Sequence, residues 1–113
     1  MEMKSVITEM EYNQERFTKR ILFKKGESVM FVLNFMPGQA LPTHTHPGSD
    51  VYVFVLEGTG TLMVDDRHQI ITKGTAVHCS GEERFSFVND GIENASLLVH
   101  LSKLPSEVYA KEV

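Results

Sequence analysis

Short apolar runs alternate with glycine-marked or charged breaks along this chain, and the pattern predicts an all-β protein. The longest run, residues 50–57, reads Asp-Val-Tyr-Val-Phe-Val-Leu-Glu, and its β-branched and aromatic side chains suit a pleated strand. Between residues 28 and 36, Phe31, Leu33 and Phe35 share one face, and Met30, Val32, Asn34 and Met36 share the other. Apolar side chains on both faces predict a strand covered on both sides. Further strands are expected at 18–24, 61–64, 68–72, 75–79, 84–89 and 95–102, with Val6 and Ile7 starting another short one. The breaks fall at Lys25-Gly26-Glu27, Pro37-Gly38, Gly58-Thr59-Gly60, Asp65-Asp66-Arg67, Lys73-Gly74, Ser80-Gly81-Glu82-Glu83 and Asp90-Gly91. Residues 9–16 are polar and read as a loop, and Leu104 with Pro105-Ser106-Glu107 reads as the start of a short terminal helix. Short strands with turns at roughly 8–12-residue spacing define a sandwich or barrel.

Composition narrows this picture only slightly. The 113 residues suit one domain, 1–113, and 42% hydrophobic with 23% charged residues is a globular balance, not a disordered one. A net charge of −4 argues against a nucleic-acid partner, whose surface would need a basic patch. Lys19, Arg20, Lys24 and Lys25 cluster, but Glu15 and Glu27 flank them, so they read as a solvated edge. One cysteine, Cys79, leaves no intramolecular disulfide and reads as a small buried hydrophobe. The start, Met1-Glu2-Met3-Lys4, lacks a signal-peptide pattern, and no apolar run approaches a membrane span. A cytoplasmic protein with no membrane partner is expected.

The candidate chemistry centres on His44-Thr45-His46, in a segment that reads as extended. Side chains at i and i+2 of a strand share a face, so the two imidazoles can meet one ligand or one ion. Neutral imidazole binds zinc, copper, iron and nickel, yet a zinc site needs three or four ligands. Asp50 is chemically suited to be a third, although on a regular strand it faces away unless a bulge turns it. Arg84, a cation that could project into a barrel, offers a different chemistry: a bidentate clamp on a carboxylate or phosphate, unless Glu82 and Glu83 neutralise it. His68, beside a charged turn, reads as exposed, and His100 as a core or interface histidine. Nothing in the chain matches a nucleophile elbow or a phosphate-cradling glycine loop.

Gly38, five residues, His44-Thr45-His46 and a strand closing on Gly58 resemble the first cupin motif: glycine, five residues, His-x-His, three or four residues, glutamate, six residues, glycine. The segment from Gly74 through Ser80-Gly81 and Arg84 to Asn89 resembles the second motif in outline. The resemblance spans residues 28–102 and implies a jelly roll, the double-stranded β-helix of the cupin barrel. It also implies a divalent metal (zinc, nickel, manganese or iron) held by His44 and His46. The family's glutamate falls on Val51, and Arg84 stands where its histidine is expected, so the third ligand is left to Asp50 or to His78. His78 is a candidate because the resemblance places its strand beside residues 50–57. Pairing of small cupins through their sheets implies a homodimer. Three functions stay open: a metal-dependent enzyme such as a dioxygenase or isomerase acting on a small molecule, a metal-free module binding an acid or sugar, and a structural or regulatory dimer.

Overall fold

The computed structural model describes residues 1–104 and 110–113, so the helix expected around residues 105–107 lies outside the described residues. Two antiparallel sheets face each other. The first has the order β1 (Thr18–Lys25), β2 (Ser28–Phe35), β9 (Ala95–Leu101), β4 (Asp50–Glu57) and β7 (Ala76–Ser80). The second has the order β3 (Ala40–His44), β8 (Phe85–Val88), β5 (Thr59–Val64) and β6 (Arg67–Thr72). This is the jelly-roll double-stranded β-helix expected from the sequence. Among the described residues no helix is long and apolar enough to cross a membrane.

Strict alternation builds the interior. In β4, Val51, Val53 and Val55 are buried while Asp50, Tyr52 and Phe54 face out. Phe31, Leu33 and Phe35 of β2 meet Leu97, Val99 and Leu101 of β9 inside, against Leu62, Phe85 and Phe87 of the second sheet. Each such buried side chain contributes about 1.5–3 kcal/mol. Gly38 adopts φ +87°, the left-handed conformation that the Pro37-Gly38 turn requires.

Several local expectations change. Val6 and Ile7 lie in a turn, not a strand. β5 begins at Thr59, because only Gly58 bends between β4 and β5. The outer side of β2 is covered from within the chain: Asn34 Nδ2 donates to Glu9 O at 2.8 Å, Tyr12 and Ser96 hydroxyls bond at 2.6 Å, and Thr18 donates to Glu11 O. Two-sided burial at this end of the sheet is therefore met by residues 9–12.

Candidate functional site

His44 ends β3, and His46 lies two residues on, in the loop leading to β4. That loop is docked on the start of the β7–β8 turn: His46 N donates to Gly81 O at 2.7 Å, and Gly81 N to Ser49 O at 2.7 Å. A Cβ on residue 81 would collide with the carbonyls of His46 and Ser49, so glycine there lets the two segments close together. Both imidazoles turn inward, with Nε2 atoms 3.1 Å apart.

The tautomers follow from their partners. His44 Nδ1 lies 2.7 Å from Pro42 O, and a carbonyl only accepts, so Nδ1 carries the proton. In neutral His44, Nε2 is then the acceptor, and His46 Nε2–H is the donor. His46 is 4% exposed, and its pKa falls to about 4 through burial first, then the positive fields of His44 and Lys19. It is neutral at pH 7, and with neutral His44 its N–H and the His44 lone pair are joined in the bond between the two rings.

A cavity of about 440 Å³ opens beside the pair. Its walls are mostly apolar, with Phe17, Phe31, Leu41, Phe85 and Val99 prominent. Phe85 is opposite His44 in the β3–β8 register, and its ring centroid lies 5.6 Å from that of His44 and 6.2 Å from that of His46. Lys19 also lines the cavity. It is 9% exposed, its Nζ lies 4.3 Å from the Phe31 ring centroid, and burial lowers its pKa to about 8. Reading Lys19 as part of a solvated basic edge is thus corrected. Parity could have revealed it, since Lys19 and Ile21 share one face of β1, and Ile21 packs on the core as does Phe17 just before the strand.

The other sequence candidates lie elsewhere. Asp50 and His78 point outward from β4 and β7, where His78 Nε2 meets Asp50 Oδ1 at 2.9 Å. The regular β4–β7 register, with Asp50 opposite Ser80 and Tyr52 opposite His78, leaves no bulge to turn either inward. Arg84 does not project into the barrel: its side chain is 64% exposed, and its Nε lies 3.7 Å from Asp65 Oδ1. The position facing the histidines is Phe85. Val51, in the family's glutamate position, is 1% exposed and faces the interior. His68 is exposed, His100 stacks on Tyr52 outside, and Cys79 is buried with its thiol pKa raised to about 11 by burial and Glu83.

Two imidazole nitrogens bound to one tetrahedral zinc stand about 3.3 Å apart, so the spacing of this pair alone suits a shared ion. The remaining shell does not. Apolar Val51 and Phe85 occupy the next inward positions, and a lysine lines the same cavity. Among the described residues no three His, Cys, Asp or Glu side chains group as metal ligands. The described residues do not fit a resident metal centre.

The chain belongs to the cupin family: the cupin domain model (Cupin_2) matches residues 31–101. Among solved structures it is similar to the TT1209 protein from Thermus thermophilus, at 27% identity over 91% of this chain and 98% of that one, with a TM-score of 0.87. A RmlC-like cupin protein from Desulfovibrio desulfuricans aligns over 93% of this chain and 97% of its own at 20% identity, TM-score 0.80, a likeness of fold. A putative sugar phosphate isomerase from Acidithiobacillus ferrooxidans shares 27% identity over 70% of this chain and 52% of its own, TM-score 0.63. No curated protein is significantly similar to the chain.

Proposed function

We propose that this cupin binds a small organic molecule directly on the His44–His46 pair, without an intervening metal. The observation that carries this function is the cavity itself: an apolar chamber of about 440 Å³ with the imidazole pair as a polar pole. Binding pockets combine mostly apolar walls with a few placed polar groups in this way. An incoming oxygen function would take over the hydrogen bond between the rings, accepting from His46 Nε2–H and, where it carries a hydroxyl, donating to His44 Nε2. A sugar-phosphate-isomerase-like protein shares the fold, and a donor–acceptor imidazole pair is chemically able to move a proton on a bound carbonyl compound. Metal-dependent chemistry would need a third ligand that the described residues do not bring to the pair.

The test is nuclear magnetic resonance of the histidine side chains in protein kept in EDTA, titrated with benzyl alcohol. Saturable shifts of the His44 and His46 signals, with His68, His78 and His100 unmoved, are expected. Absence of any shift until a divalent metal is added would replace direct binding by metal-dependent binding.

A further inference from the structure

Lys19 is a buried nucleophile that direct binding on the histidine pair leaves unused. It sits on β1, an edge strand, yet faces the interior opposite Leu33 in the β1–β2 register. Inward charges on edge strands can serve simply to block strand addition. Lys19 is placed for more than that. Its side chain lines the cavity that holds the imidazoles, its Nζ lies 4.3 Å from the ring centroid of Phe31 on the same cavity wall, and its field acts on His46. Burial lowers the Lys19 pKa to about 8. An amine attacks carbon only in its neutral form, and a lysine desolvated by apolar walls reaches that form near neutral pH. A lysine in water titrates near 10.4, so at pH 7 Lys19 holds on the order of a hundredfold more neutral amine than such a lysine. Contacts that Lys19 makes within the protein as a donor use its N–H bonds; once neutral, the amine keeps its lone pair beside them. The other titratable groups on the cavity are His44, His46 and the exposed Lys111 and Glu112.

Resting on the site proposed above, we infer that Lys19 forms an imine with a small aldehyde or ketone whose carbonyl oxygen is held at the His44–His46 pair. The apolar body of this ligand packs on Phe17, Phe31 and Phe85. The Nζ lone pair attacks the carbonyl carbon, a C–N bond forms, and the C=O π electrons move to oxygen. The C–O bond then breaks and the oxygen leaves as water, so two protons pass from nitrogen to oxygen. His44 Nε2, the acceptor of the pair, takes each proton from nitrogen and gives it to oxygen, while His46 Nε2–H stays bonded to that oxygen. Nothing is oxidised or reduced, and water is the one product besides the imine. A protonated imine draws electrons from the adjacent carbon and makes its C–H acidic, a step that an imidazole base in the same cavity can serve.

The probe is benzaldehyde with sodium cyanoborohydride, at pH 7 in EDTA. Reduction of the imine fixes a benzyl group on the attacking nitrogen, and mass spectrometry of proteolytic peptides locates it. The exposed Lys73 and Lys111 are the internal references. The lower basicity of Lys19 offsets part of its gain in neutral amine, so it should be labelled about tenfold or more faster than either reference. Its rate should saturate in benzaldehyde and fall when benzyl alcohol is added. Labelling of Lys19 no faster than of Lys73, while benzyl alcohol still moves the His44 and His46 signals, would overturn the imine and leave the site standing. Fast labelling of Lys19 that benzyl alcohol leaves unchanged would overturn the placement of the carbonyl at the pair. Failure of both benzyl alcohol and benzaldehyde to move the His44 and His46 signals would overturn the site and this inference together.

Discussion

Acidification should weaken this protein through His46 in a calculable way. The imidazole titrates near 6.5 in an unfolded chain and at about 4 in the folded one. Because the folded pKa is depressed, the unfolded state binds more protons between about pH 4 and 6.5, and stability falls as pH drops through that window. At pH 5 the unfolded chain is favoured by protonation roughly thirtyfold relative to pH 8, a loss of about 2 kcal/mol. Below about pH 4 the folded imidazole protonates as well, and this contribution stops growing. The assay is urea unfolding at pH 8, 6.5, 5.5 and 5 for wild type and His46→Gln. Groups away from His46 are common to both proteins and drop out of the difference. Wild type should lose about 2 kcal/mol more than His46→Gln between pH 8 and pH 5. Equal losses would show that His46 is not held neutral by its surroundings, and the tautomer assignment of the pair would fall with it.

Three other outcomes follow from the same contacts. Phe85→His should place a third imidazole against the pair, destabilising the metal-free protein by about 2–4 kcal/mol and creating a zinc- or nickel-dependent rise in melting temperature that wild type lacks; no metal response would show that Phe85 is not the missing ligand position. Gly81→Ala drives a Cβ into the carbonyls of His46 and Ser49, so it should cost at least about 2 kcal/mol in urea unfolding and weaken ligand binding; a neutral change would mean that the loop is not clamped there. The homodimer expected from the sequence is proposed to use the uncovered outer face, where Tyr52 is 46% and Phe54 40% exposed. Sedimentation at micromolar concentration should then give a dimer for wild type and a monomer for Tyr52→Lys, and a wild-type monomer would reject it.

The fold was legible because its signals are local. Valines alternating with exposed residues in β4, and glycines at φ > 0 in the turns, leave little choice of sheet or face. Asn89, which closes the second motif, proved to be a buried clamp, donating to Phe35 O at 3.0 Å and Glu93 O at 2.9 Å. The site was only half legible. The i, i+2 spacing brought His44 and His46 to one cavity, but the second motif is loose around Ser80-Gly81, and a one-residue slip in counting exchanges Arg84 for Phe85. On a strand that slip exchanges outside for inside, a cation for a phenyl ring. Lys19 was lost for another reason: charge clustering along the chain suggested solvent, while the face of β1 is set by parity. The shape of the cavity depends on strands far apart in sequence, β1, β2, β3 and β8, and no local pattern reports it.

The most direct measurement is elemental analysis of the protein purified without an affinity tag from medium containing zinc, nickel, manganese and iron. It should be followed by calorimetric titration of the EDTA-treated protein with the same ions. Direct ligand binding on the His44–His46 pair predicts metal content well below one ion per chain and no saturable heat from any of the four. One tightly held ion per chain, lost in both His44→Ala and His46→Ala, would contradict the account and make the pair the core of a metal centre.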